Sequence, residues 1–191
     1  MIYDEELRAK LLEKNILVLF NEINEQTASI LIKDALNLQL RWQEEGVPES
    51  RRKITLLLST PGGSISAGFA IFDFFLSLKC EITTVGIGLV ASMGVILLCL
   101  GKARLAFKHA ELMTHQPLTN GLAGRTTEIE TYAQRMVQLK KRLNQILAET
   151  CNKPIEVISD VCEKDTFFNA QEALDFGLIT EVIDDLQEVV K

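Results

Sequence analysis

The sequence predicts an α/β fold built on a parallel sheet, and three observations carry that expectation. Short apolar runs of strand length alternate with amphipathic helical stretches, two of the joins between them are glycine turns, and 47% of the 191 residues are hydrophobic. Strand alternating with helix implies right-handed crossovers. That length buries one good core and not two, so a single domain spanning 1–191 is expected.

Residues 4–14 form an acidic amphipathic start, and 16–20 an apolar run of strand length, closed by a polar break at 21–24. In the next stretch, 25–45, Ala28, Leu31, Ala35, Leu38 and Trp42 recur in steps of three and four, which puts them on one helical face. After a loop at Gly46, Pro48 and Ser50, a strand is expected over 54–58, a turn at Thr60-Pro61-Gly62-Gly63, and a helix marked by Ala67, Ala70, Ile71, Phe74, Phe75 and Leu78. The pattern repeats with a strand over 82–87, a turn over 88–92 and an apolar helix over 93–100.

Farther on, Ile129, Tyr132, Met136, Leu139, Leu143 and Ile146 step along a helix of about 25 residues, roughly 37 Å at 1.5 Å per residue. So long a helix projects from so small a domain, and its apolar seam calls for a partner. Asn169 with Glu172 reads as an N-terminal capping pair, and Gly177 as a left-handed stop before a strand over 178–183.

Composition narrows the function. A net charge of −6 without a basic block disfavours nucleic acid and anionic membrane surfaces. Four cysteines without CxxC spacing and only two histidines suggest no metal site and no redox pair, and no cofactor motif is present. Free thiols and a start unlike a signal peptide point to the cytoplasm. The uncharged stretch 85–101 is short for a membrane span and rich in glycine, so a buried strand, turn and helix explain it better.

Both glycine turns sit at the carboxyl ends of predicted strands, where open α/β sheets place their sites. At Gly62-Gly63, backbone N–H groups are open to close approach by an oxyanion. In Ala91-Ser92-Met93-Gly94 a hydroxyl stands at the head of an apolar helix, where N–H groups favour negative charge; an ordinary N-cap is the plainer reading. The motif is not the G-x-S-x-G elbow, because Val90 occupies the position two before Ser92. A serine nucleophile needs a base. His115, at an apolar strand end before Pro117, is favoured over His109 beside Lys108, while the 26 carboxylates leave the third partner open.

Thr60-Pro61-Gly62-Gly63, Ala91-Ser92-Met93-Gly94, Met113-Thr114-His115-Gln116-Pro117-Leu118 and Lys164-Asp165-Thr166-Phe167, in this order and spacing, resemble the motif series of Clp peptidase subunits, with similarity from about 11 to 183. The resemblance implies a Clp/crotonase-like ββα spiral with a protruding handle helix at 126–150. It implies Ser92 as nucleophile, His115 as base and Asp165 as its orienting acid, the N–H groups of Gly63 and Met93 as oxyanion hole, and Ser64, Ile65 and Leu118 along the peptide substrate. It further implies two heptameric rings joined through the long helix, with Glu163 and Lys164 at the ring contact.

Some features depart from the family. The chain begins too late to hold most of the axial-loop segment, and Thr55 and Leu57 stand where tyrosines commonly line the docking pocket of an AAA+ unfoldase, which weighs against that partner. Ser92 and His115 lie 23 residues apart, about two fewer than in the family, the segment after Pro117 is longer by one, and Val161 replaces a usual aspartate beside Asp160. Two rival readings are a mainly structural paralogue in a mixed Clp peptidase ring and an acyl-CoA enzyme of the crotonase superfamily.

Overall fold

In the computed structural model, residues 5–119, 121 and 123–188 are described. Helix α1 (Glu5–Glu13) leads into β1 (Ile16–Leu19), α2 (Glu25–Glu44), β2 (Lys53–Thr60), α3 (Ile65–Ser77), β3 (Glu81–Ala91) and α4 (Met93–Leu98). Strands β4 (Ala103–Phe107) and β5 (Glu111–Thr114) follow, then α5 (Thr126–Cys151), α6 (Ile155–Val161), β6 (Thr166–Asn169), α7 (Ala170–Phe176) and β7 (Glu181–Ile183).

The sheet runs β1-β2-β3-β4-β7, all parallel, with β5 and β6 branching from β3. The expected α/β class is observed, with one departure from a wholly parallel sheet: β6 pairs antiparallel to β5. Strand β3 is longer than the 82–87 read from sequence. It continues through Gly88, whose φ of +61° suits glycine, and changes partner on the way. Thr83–Gly86 pair with β4, whereas Leu89–Ala91 pair with β5. The expected turn over 88–92 therefore shrinks to a single sharp residue, Ser92. The following helix stops at Leu98, and the last strand covers only 181–183, because Leu178 and Ile179 are buried in the turn that precedes it.

The periodic residues face inward as expected: Ala28, Leu31, Ala35, Leu38 and Trp42 of α2 are all buried. Every residue of α4 is buried, which accounts for a helix apolar on all sides. Burying Leu, Ile or Val side chains of this kind contributes about 1.5–3 kcal/mol each, so α4 is anchored firmly beneath the turn it follows. No described helix is long and apolar enough to cross a membrane.

Helix α5 divides in two. Its buried residues, Leu143, Asn144, Leu147, Ala148 and Cys151, all lie in the second half, while Ile129, Tyr132 and Val137 in the first half are exposed. At the chain's end the Asn169–Glu172 capping box forms, and Gly177 closes α7 in the left-handed conformation.

Candidate active site

Two strand registers assemble the site. Ala91 of β3 pairs with Met113 of β5, and the Ser92 N–H donates to the Met113 carbonyl at 2.7 Å, so Ser92 arrives beside the end of β5. Thr114 of β5 pairs with Thr166 of β6, which sets the next residue, His115, opposite the preceding one, Asp165. Three residues distant in sequence thus meet because β3 switches partner and β6 returns antiparallel.

Ser92 has φ +55° and ψ −122°, a conformation that costs an L-residue energy and is commonly found at functional sites. Although it precedes α4, its side chain makes no capping hydrogen bond. Instead Ser92 Oγ lies 2.7 Å from His115 Nε2. The plainer N-cap reading is overturned by this geometry: the twisted backbone turns the hydroxyl away from the helix N–H groups. Gly62 makes room for the turn, since a Cβ there would come within 2.6 Å of Ser92 Cβ.

On the far side of the imidazole, His115 Nδ1 is 3.3 Å from Asp165 Oδ1. Distance is met but alignment is not, because Nδ1 is buried without a hydrogen bond among the described residues. The imidazole is enclosed, its side chain 13% exposed, whereas that of Asp165 is 63% exposed and open to water. His109, the other histidine, is exposed and outside the site.

Gly63 has φ +142°, and the two bonds fastening its loop to Ile23 run from the Ile23 N–H to the Gly62 carbonyl and from the Ser64 N–H to the Ile23 carbonyl. The Gly63 N–H takes no part in that ladder. Met93 opens α4, so its N–H has no acceptor within the helix.

Ser92, Met93, His115 and Gly63 line one cavity of about 370 Å³, whose walls include Ile96, Leu143 and Leu147. Ile65 and Leu118 border both it and a neighbouring cavity of about 600 Å³; Ser64 borders only the second. Leu118 is 71% exposed at the rim. Seven of the eight residues singled out in the sequence line these two cavities, and the eighth, Asp165, meets them through His115. The Ser64 side chain caps α3 by accepting from the Ala67 N–H. Among the described residues no cluster of histidine, cysteine or carboxylate side chains could hold a metal ion.

Residues 3–186 match the family model described as Clp protease. The chain belongs to the Clp protease family. The match spans nearly the whole sequence, and the mixed α/β architecture with its mainly parallel sheet is the Clp/crotonase-like fold. Membership carries peptidase function, action on protein substrates and a tendency to oligomerise.

Sequence reasoning missed part of this candidate site. Thr114 and Asn144, both 4% exposed, also line the cavity around Ser92. Leu143, expected on an apolar seam that awaits a partner, instead walls the cavity together with Leu147. The i to i+4 spacing of Leu143 and Leu147 was a visible signal of a shared face, but nothing in the chain indicates what that face meets.

Proposed function

We propose that this chain is a serine endopeptidase subunit that hydrolyses peptides and unfolded proteins inside a barrel of two heptameric rings. The observation that carries this reading is the 2.7 Å contact between Ser92 Oγ and His115 Nε2, made by a serine whose backbone keeps its hydroxyl off the helix it precedes.

In the proposed reaction Ser92 Oγ attacks the carbonyl carbon of a peptide bond while His115 Nε2 takes its proton. The N–H groups of Gly63 and Met93 receive the developing oxyanion, and Asp165 holds the Nδ1 proton that keeps Nε2 free to accept. When the tetrahedral intermediate collapses, the carbon–nitrogen bond breaks and the departing amine takes the proton from Nε2. Water then attacks the Ser92 ester by the same route, with His115 again acting as base. The extended chain lies past Ile65 and Leu118, with Ser64 along its path, and the apolar walls at Ile96, Leu143 and Leu147 favour an apolar side chain before the scissile bond. Exposed Ile129, Tyr132 and Val137 on the first half of α5 support assembly through that helix.

Labelling with a fluorophosphonate probe tests the chemistry: wild-type protein is expected to acquire one label per chain at Ser92, and Ser92→Ala and His115→Gln to acquire none. A wild-type protein that stays unlabelled, beside a reactive Clp peptidase control, refutes it. Light scattering tests the assembly, with a mass of fourteen chains expected and a monomer refuting it. The missing His115–Asp165 hydrogen bond supports a second reading, a mainly structural paralogue that joins an active one in a mixed ring and contributes little cleavage itself. Equal peptidase rates for the isolated wild-type protein and Ser92→Ala would favour it.

A further inference from the structure

One side chain of α5 ties together the two segments that carry His115 and Asp165. Lys140 Nζ donates to Gln116 Oε1 at 3.1 Å and to Glu163 Oε2 at 2.9 Å, and Gln116 Nε2 donates to the Glu163 backbone carbonyl at 3.1 Å. The three bonds close a triangle. Gln116 directly follows His115, and Glu163 lies two residues before Asp165, so each corner outside α5 sits next to one of the two groups whose alignment is incomplete. The ammonium is well suited to this place, because it offers three donors at one point and here uses two of them on different segments.

An isolated surface ion pair is worth little. Lys140–Glu163 is more constrained than that, because the neutral Gln116 amide accepts from one partner and donates to the other, fixing both loops relative to the helix. The bond from Lys140 also holds the Glu163 carboxyl below the usual carboxylate range.

We infer that Lys140 is a positioning residue: through Gln116 and Glu163 it sets the spacing of the His115 and Asp165 segments, and so governs whether the imidazole is held in the orientation that serves Ser92. This rests on reading those three residues as a catalytic triad. Lys140 itself is absent from the cavity lining and touches no reacting atom. Its effect is therefore on turnover and on the environment of His115, and not on substrate affinity. A small displacement of a catalytic group costs on the order of 10²-fold in rate, which bounds the effect.

The experiment compares wild-type protein with Lys140→Met, which keeps the stem and removes the ammonium, with Glu163→Gln and with Lys140→Arg. Expected for Lys140→Met is a fall in kcat of roughly 10- to 100-fold with KM within about twofold, at unchanged mass by light scattering. Lys140→Arg should recover most of the rate, and Glu163→Gln should fall between. A second readout does not need turnover. Diethyl pyrocarbonate modifies histidines at rates that mass spectrometry follows one by one, and this chain has only two. Lys140→Met should change the pH profile of modification at His115 and leave exposed His109 unaltered. Unchanged kcat together with an unchanged His115 profile overturns the inference. A change at His109 equal to that at His115 also overturns it, since that would mean general unfolding. If wild-type protein is inert to fluorophosphonate and peptide, the functional reading fails, and the His115 profile alone then decides whether Lys140 positions the imidazole.

Discussion

Replacing Gly94 by alanine tests how tightly the serine turn is braced against β2. A Cβ on Gly94 would stand 2.5 Å from Thr60 Cγ2 and 3.4 Å from Val90 Cγ1, against an ordinary carbon–carbon contact of about 3.5–4.0 Å. Thr60 cannot easily step aside. It is buried and β-branched, and its Oγ1 accepts from the Gly62 N–H at 3.1 Å, so rotating the side chain would release the glycine loop. Overpacking of this kind costs about 1–3 kcal/mol, while alanine gains about 1 kcal/mol over glycine in helix propensity. The net loss is about 1 kcal/mol, a fall in Tm of about 2–4 °C for a chain of this size. In a Thr60→Ser background the clashing methyl is gone and the hydroxyl remains, so the same Gly94→Ala change should be neutral or stabilising by up to about 1 kcal/mol. The assay is thermal unfolding of the four proteins at one fixed concentration, with fluorophosphonate labelling alongside, which should slow in Gly94→Ala and recover in the double variant. Equal Tm shifts for Gly94→Ala in both backgrounds would refute the argument that Thr60 sets the position of the turn.

Arg104 donates to the carbonyls of Leu178, Gly101, Gly177 and Thr150, so Arg104→Met should cost about 1–3 kcal/mol by stranding several part-buried acceptors, and Arg104→Lys should recover less than half of it, read from denaturant midpoints. Thr114→Val removes a buried hydroxyl whose hydrogen-bonding neighbour is the weakly polar Cys162 thiol and should change stability by no more than about 1 kcal/mol; a larger loss would reveal a stronger bond to Oγ1. Burial pushes the thiols of Cys80 and Cys99 up to about 11 and that of Cys151 to about 12. Because these folded values exceed that of an unfolded thiol, the stabilisation is complete below about pH 9 and is lost as pH rises toward 11 to 12, by at most about 1.4 kcal/mol per pH unit for Cys99 and Cys151 and by less for half-buried Cys80, where water screens the effect. Denaturation midpoints between pH 8 and 11 check that slope, and alkylation of the three thiols at pH 8 should be slow until the protein unfolds. A Cβ on Gly63 would run into the Ile23 backbone, so Gly63→Ala should lower Tm and abolish labelling at Ser92 together; normal labelling would show that the loop can move without harm to the site.

The local elements were legible because they depend on neighbours in the chain. The apolar stripe of α2, the Asn169–Glu172 capping box and the left-handed stop at Gly177 follow from side-chain spacing, capping chemistry and the absence of a Cβ, and each forms where it was expected. Strand β6 and helix α6 leave no such mark in the sequence. A four-residue strand and a seven-residue helix are too short to show a period, and their formation depends on what they pack against. Similarly, the strand reading of 82–87 ended too early, because Gly86 and Gly88 look like a break, whereas in the fold they let β3 pass from one partner to another.

By itself, the sequence determined the α/β class, the glycine turn at Gly62-Gly63 and the short choice between two histidines, since period, composition and residue counts are properties of the chain. Tertiary structure alone decided that Ser92 gives up its capping bond for His115, that Asp165 comes opposite the imidazole without closing a hydrogen bond, and that Lys140 links the segments on either side. The physical reason is that these contacts are made through strand register and side-chain reach between segments 23 to 50 residues apart, and a one-residue slip in either register would separate them without altering any local pattern.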